Sequence, residues 1–344
     1  MNHLTIPEPD DWHVHLRDGE ALAQTVPATA RHFARALVMP NLDPPLTTVS
    51  ALLQYRRRIV DRLLNKALFT PYMSLYLNEA VTEEELVKAR DEPFILGAKL
   101  YPAGATTNSA KGARSIKALY PLLALLQEYG LVLQIHGEVT HGDIFQREAL
   151  FIQENLAPIQ RDFPHLRMVL EHISTKAAVE FVAASGDNIA ATITPHHLLF
   201  NRNHLLAGGI RPHFYCLPVL KKEQDQKAVQ QAALSGSIKF FAGTDSAPHT
   251  QQSKESACGC AGIYSAPFAL ALYAGFFENH GALHKLAPFI SQYGAEFYHL
   301  PRTRNSIVLV KTPKVIPSSL PFGGAQVVPI AAGETMAWSV KDEA

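Results

Sequence analysis

The 344-residue chain is short of cysteine, of net charge and of uninterrupted apolar sequence, and each shortage removes a class of protein. Its three cysteines, Cys216, Cys258 and Cys260, are too few and too clustered for a disulfide framework, which points to a reducing compartment. Lys plus Arg number 31 and Asp plus Glu 31, so neither nucleic acid nor an anionic membrane is expected as a partner. The first ten residues are polar and carry prolines, with no basic segment leading into an apolar one. No secretory signal is therefore expected, and the expected location is the cytoplasm. The longest uncharged run, 257–277, is interrupted by Pro267 and three glycines and reads as a loop entering a buried helix, not as a membrane span. Low-complexity tracts and Gly/Ser linkers are missing too, so 1–344 is expected to be a single domain. Two things are plentiful. Apolar residues at 47% suffice for a large core and exclude a disordered chain. Sixteen histidines are many for a neutral chain and invite a search for metal ligands.

One pattern recurs: a short apolar, β-branched run, a polar or reactive residue, then a helical stretch. Strands are expected over 11–16, 34–39, 69–77, 95–100, 132–136, 168–172, 189–194 and 238–243. Helices are expected over 47–65 (Thr47 or Thr48 as cap), after the capping-box-like Thr82-Glu83-Glu84-Glu85, over 115–129 with Gly130 as its stop, and over 144–160, 175–184 and 229–234. Eight strands alternating with helices imply parallel pairing and right-handed crossovers, and eight closes an α/β (β/α)8 TIM barrel. An open doubly wound sheet would want a nucleotide-type glycine turn after the first strand, and Arg17-Asp18-Gly19 is not one. Helices over 266–278 and 283–298 follow. A proline-rich tail with strands at 306–310 and 335–340 reads as a small C-terminal extension, about 305–344, packed on the barrel.

The C-terminal ends of barrel strands meet at one face, the face that carries active sites. There this chain places His13 and His15, Asn41, Lys99, His136, His172 and Asp245. His13 and His15 are two apart, so a strand puts both rings on one side. They suit a divalent ion, or simply a buried hydrogen-bonded pair. His136 and His172 each read alone as core histidines, but with His13 and His15 they make four imidazoles on one rim, which favours ligands. Asp245 follows a fully apolar strand and can ligate metal and take a proton, or cap a turn. Lys99 ends a run too apolar for a casual cation. Burial would strip its proton, and a neutral amine can form a Schiff base or a carbamate; a salt-bridged or snorkelling lysine is the plainer alternative.

The ordered set Asp11-Trp12-His13-Val14-His15-Leu16-Arg17-Asp18, Val38-Met39-Pro40-Asn41, Ala98-Lys99-Leu100-Tyr101-Pro102, His136-Gly137-Glu138 and Gly243-Thr244-Asp245-Ser246-Ala247-Pro248-His249 resembles the dihydroorotase family of the amidohydrolase superfamily, in its shorter, homodimeric bacterial type. Arg211-Pro212-His213-Phe214-Tyr215-Cys216-Leu217-Pro218 and Cys258-Gly259-Cys260-Ala261-Gly262 fit that type too, and the likeness runs from about Pro9 to Thr335. The resemblance implies a zinc hydrolase of a cyclic amide in pyrimidine (UMP) biosynthesis. It interconverts N-carbamoyl-L-aspartate and L-dihydroorotate plus water by a metal-bridging hydroxide, with Asp245 as general base and acid. It further implies that His13, His15 and Asp245 bind one zinc, His136 and His172 the other, and that Lys99, carboxylated by carbon dioxide, bridges them. Two Zn²⁺ less Asp245, the carbamate and hydroxide leave about +1, which favours an anionic substrate. Arg17, Asn41 and His249 are implied to hold its carboxylate. His136 and the backbone near Leu217 and Ala261 are implied to meet the ring, and Thr106 and Thr107 to belong to a mobile loop.

Plainer readings stand beside these. Arg17 can pair with Asp18 or Glu20 on the surface, Asn41 can be a turn residue before Pro44-Pro45, and 104–107 can be an ordinary loop. Cys258 and Cys260 read as residues that shape a loop. His196, His197, His213, Trp12 and Tyr76 read as packing or supporting groups. The rivals in function are another cyclic-amide hydrolase, of hydantoinase or allantoinase type, and a non-catalytic scaffold that retains the fold.

Overall fold

The apolar runs form the staves of one cylinder. The computed structural model describes residues 2–63 and 69–341. Among these, β1 (Asp10–Val14), β2 (Arg35–Val38), β3 (Thr70–Leu77), β4 (Ile95–Leu100), β5 (Val132–Ile135), β6 (Met168–Leu170), β7 (Ile189–Ile193) and β8 (Phe240–Ala242) pair in sequence order, each pair parallel. β1 and β8 meet through the residues just past β8. Asp245 N donates to His13 O at 2.8 Å, and His15 N donates to Ser246 O at 3.0 Å. The result is the expected (β/α)8 barrel. No helix among the described residues is long and apolar enough to cross a membrane.

Strand alternation sorts the side chains into two layers. Trp12, Leu37, Val132, Val169, Ala190 and Phe241 point into the barrel and pack together. Ala36, Val38, Leu75, Ile135, Leu170 and Ile193 point outward, under the helices. Each such burial contributes about 1.5–3 kcal/mol for a large side chain. The helix Tyr293–Phe297 closes the floor, where Tyr298 stacks on Trp12 with ring centroids 4.7 Å apart. Gly294 allows that approach, because a Cβ there would lie 2.0 Å from Trp12 Nε1.

The helix signals act where the sequence puts them. Thr48, Thr82 and Thr175 accept from the N–H groups of Ala51, Glu85 and Ala178 and start Val49–Val60, Glu83–Asp91 and Lys176–Ala184. Gly130, at φ 70°, ends Tyr120–Tyr129. The end expected at Asn65 lies outside the described residues. Other boundaries move. The strands expected to reach His136 and His172 stop at Ile135 and Leu170; His172 has φ 43°, which no ladder residue can adopt. The run 238–243 shrinks to β8. The helix expected at 144–160 starts at Arg147 and passes through a π turn to Asp162. That at 229–234 extends to Glu223–Ser235, and 283–298 breaks at Gln292. The helix Leu22–Ala30 was not among those expected, and it carries Pro27 within it.

The tail does pack on the barrel: Leu309, Ile316 and Trp338 join its main core. Its strand Ser306–Val310 pairs antiparallel with an unexpected partner, His3–Pro7, and with Ser339–Val340. The expected strand 335–340 is split, since Thr335–Met336 pairs instead with Lys314–Val315.

Candidate active site

The side chains at the rim converge. A register shift between Asp11 and Val14 breaks the alternation of β1 after Trp12, and His13 near its end and His15 just past it bring their Nε2 atoms within 3.3 Å of each other. Asp245 Oδ1 lies 3.5 Å from His13 Nε2 and 3.2 Å from His15 Nε2. His136 and His172 form a second pair, with Nδ1 of the first 3.2 Å from Nε2 of the second. The pairs adjoin: the His13 and His172 ring centroids are 5.0 Å apart. Lys99 is wholly buried on β4, and its Nζ has no hydrogen-bond partner.

These groups are electrically tuned by burial. Desolvation lowers His15 to about 4 and pushes His136 and His172 down as well, so the rings present lone pairs at neutral pH. Burial would raise the Asp245 carboxyl, but its His15 hydrogen bond and the electrostatics of the adjoining imidazoles override this and hold it well below the usual carboxylate range. Burial lowers the Lys99 ammonium to about 8, which makes a neutral, nucleophilic amine accessible.

Two buried carboxylates, which the sequence reading did not single out, aim the imidazoles. Glu171 Oε2 lies 2.8 Å from His13 Nδ1, and Glu138 Oε2 lies 2.9 Å from His136 Nε2. Each fixes a proton on the nitrogen it faces and leaves the other nitrogen unprotonated toward the cluster. Glu138 lies two residues after His136, in His136-Gly137-Glu138. Glu171 is an acid at the end of an apolar run, directly before His172, and that placement is its signal in the sequence.

Unprotonated imidazoles converging on a carboxylate, with Lys99 Nζ, His15 Nδ1 and His172 Nδ1 left unpartnered, are a donor set that a divalent cation fits. His13, His15 and Asp245 bring one ligand atom each within 4.8 Å of one another. His196, His197 and Cys216 do the same. In that second group both His196 ring nitrogens are without a partner, but the other two members are engaged. His197 contacts Thr194 and Pro218 through its two ring nitrogens, and the Cys216 thiol donates to Pro218 O and is pushed up by burial to about 12.

A narrow cleft above the cluster is lined by His15, Arg17, Asn41, Tyr101, Thr106, Thr107, His136, His172, Leu217, Asp245, Ala247, Ala261 and Gly262. A roomier, largely apolar groove bounded by Pro27, Phe69, Tyr264 and Phe268 carries none of the cluster, so size does not mark the site. Arg17 turns away from Asp18, which pairs with Arg58 at 2.7 Å. Its Nε instead donates to Pro248 O at 2.9 Å, and its Nη2 lies 3.0 Å from His249 Nε2. Burial lowers His249 to about 3, so it stays neutral. Asn41 Nδ2 donates to Thr107 O at 3.1 Å, and Thr107 Oγ1 donates to Ala261 O at 3.0 Å. The loop 104–108 is thus seated across the cleft. His213 pairs with Glu255 at the surface, His196 and Trp12 are buried, and Tyr76 stacks on Tyr101. Arg17, His172 and Asp245 have φ of 60°, 43° and 43°, left-handed backbone that costs non-glycine residues of order 1–3 kcal/mol and concentrates at functional sites.

The comparisons with known proteins agree. The model of the amidohydrolase family matches residues 10–307. A dihydroorotase of Idiomarina loihiensis is 54% identical over 343 residues, covering 99% of this chain and 100% of that one. One from Aliivibrio fischeri is 56% identical with the same coverage. Among solved structures, the dihydroorotase of Campylobacter jejuni superposes with a TM-score of 0.91 at 35% identity, covering 99% of this chain and 98% of that one. The Saccharomyces cerevisiae dihydroorotase in complex with 5-fluoroorotic acid gives 0.90 at 34%, covering 99% of each chain. The L-hydantoinase of Arthrobacter aurescens shares the fold, with a TM-score of 0.79, at only 16% identity over 98% of this chain and 83% of that one. The chain belongs to the dihydroorotase family of amidohydrolases.

Proposed function

We propose that the protein is a dihydroorotase, catalysing the reversible cyclisation of N-carbamoyl-L-aspartate to L-dihydroorotate plus water in pyrimidine biosynthesis. The observation that carries this reading is the Arg17 guanidinium, backed by neutral His249, in the same cleft as the buried His–Asp–Lys cluster. A carboxylate reader beside a hydrolytic centre suits a cyclic amide that bears a carboxylate.

In this reading His13, His15 and Asp245 would hold one zinc and His136 and His172 a second, with Lys99, as its carbamate, a further ligand. Zinc there supplies an acidified water and polarises a carbonyl. The chain's own groups do the rest. Arg17 binds the substrate carboxylate, bidentate geometry being available to its fork, and Asn41 and His249 add hydrogen bonds. His136 and the main chain at Leu217 and Ala261 meet the ring. In the hydrolytic direction Asp245 takes the proton of the attacking water and passes it to the departing ring nitrogen; in cyclisation the proton runs back. Thr106 and Thr107 close the cleft and exclude bulk water. Residues 1–344 act as one unit in the cytoplasm and, as family resemblance suggests, as a homodimer.

The test uses zinc-loaded protein and follows L-dihydroorotate loss by ultraviolet absorbance, with hydantoin and allantoin in parallel. Turnover of dihydroorotate alone is the expected result. Turnover of the others instead would keep the metal centre and overturn the substrate. No turnover of any, despite bound metal, would favour the scaffold reading.

A further inference from the structure

Lys254 ends the short helix Gln251–Lys254 and is 3% exposed. Its Nζ donates to three main-chain carbonyls: Tyr215 O at 2.7 Å, Cys260 O at 2.9 Å and Gly262 O at 2.9 Å. An ammonium has three N–H donors, so the set is saturated. Burying a cation is costly, and charge-assisted bonds to carbonyl dipoles offset that cost only while all three acceptors stay in place.

The acceptors are not scattered. Cys260 and Gly262 bracket Ala261. With carbonyls 260 and 262 both turned to Lys254, the carbonyl between them faces the other way, into the cleft. There it accepts from Thr107 Oγ1 at 3.0 Å and lies 3.1 Å from His249 Nε2. This alternation demands unusual backbone: Cys260 has φ 27° and Gly262 φ 150°. At Gly262 a Cβ would sit 2.4 Å from Ala247 O. The third acceptor, Tyr215, stands two residues before Leu217 on the adjoining wall and also accepts from Gly262 N at 3.0 Å. One buried cation therefore ties together the two main-chain segments that line one side of the cleft.

We propose that Lys254 is a positioning residue for substrate recognition, which holds the main-chain groups at Leu217 and Ala261 at the spacing of a planar ring amide. The assignment rests on reading the cleft as the dihydroorotate site. Lys254 touches neither substrate nor the metal-type cluster. Its loss should weaken substrate binding in ground and transition states alike, which raises KM and spares kcat.

Zinc-loaded Lys254→Met, Lys254→Gln and Lys254→Arg are compared with the parent for zinc content, kcat and KM. Lys254→Met should keep its zinc and raise KM for L-dihydroorotate by about tenfold or more, with kcat within about threefold. Lys254→Arg, which keeps a cation for the carbonyls, should recover most of the parent KM. An unchanged KM in Lys254→Met, or a loss confined to kcat, would overturn the proposal, because a merely structural clamp lowers stability without that split. Should Lys254→Met fail to fold, Lys254→Gln, with two N–H donors, is read by the same criteria. If the parent turns over hydantoin and not dihydroorotate, the substrate reading fails, and KM for hydantoin in the same variants decides the role of Lys254.

Discussion

Glu171 Oε2 accepts from His13 Nδ1 at 2.8 Å, and the same oxygen accepts from Thr192 Oγ1 at 2.6 Å. Threonine thus fixes the carboxylate, the carboxylate fixes the imidazole, and the imidazole turns its other nitrogen toward Asp245. Glu171→Gln keeps the shape and removes the charge that makes the ring a stronger donor. Zinc affinity, measured by chelator competition, should fall about 10- to 100-fold in this variant while the fold is kept. Unchanged affinity would make Glu171 a bystander.

Lys99 has no polar partner for Nζ, and burial brings it to about 8, so an appreciable neutral fraction exists under mildly alkaline conditions. Lys99→Ala should lose most activity, and a small carboxylic acid such as acetate or propionate should restore part of it by standing in for the carbamate. Full activity of that variant with no added acid would end the carbamate role.

The fold and most of the cluster were legible because each depends on local pattern. Two imidazoles two residues apart on a strand share a side, and threonines before apolar-periodic segments cap helices. What escaped depends on partners far along the chain. Glu171 stands out locally as an acid beside an apolar run, but its partner His13 lies 158 positions away, and Lys254 meets Tyr215 across 39, so no local spacing reveals either pairing. The strand ends were misjudged at His136 and His172 because an apolar run does not reveal where a residue leaves the ladder, as His172 does in left-handed backbone. Leu22–Ala30, missing from the helices expected, carries Pro27 within it and is held by burial of Leu22 and Val26.

Arg17 donates to Pro248 O and contacts His249, which leaves its fork aimed but not neutralised by a carboxylate. Arg17→Met should spare zinc content and raise KM for dihydroorotate by about 100-fold, in line with about 2–3 kcal/mol for a charge-assisted contact. Unchanged affinity would mean that the carboxylate binds elsewhere.

His196 is wholly buried, and burial lowers it to about 4 from an ordinary 6.5. Above pH 6.5 it is neutral in both folded and unfolded chains and has no effect. As pH falls from 6.5 toward 4 the unfolded chain takes up a proton that the folded one refuses, so stability is lost, at about 1.4 kcal/mol per pH unit. Asp11 and Glu148, raised by burial to about 7 and about 6, act in the opposite sense, so the informative quantity is a difference. The Tm of the metal-free His196→Leu variant should gain on that of the parent as pH drops from 7 to 5. A constant gap over that range would refute the assignment.

The join between β1 and β8 has one more consequence. Asp245 N to His13 O and His15 N to Ser246 O are the bonds that close the cylinder there, and His13, His15 and Asp245 form the first cation-type group. A cation held by those three would rivet the barrel's seam, so that opening the ring and releasing the ion become one event. Metal loading would then act as a lock on topology as well as a source of chemistry, and the wall should part first at this joint when the ion is withdrawn.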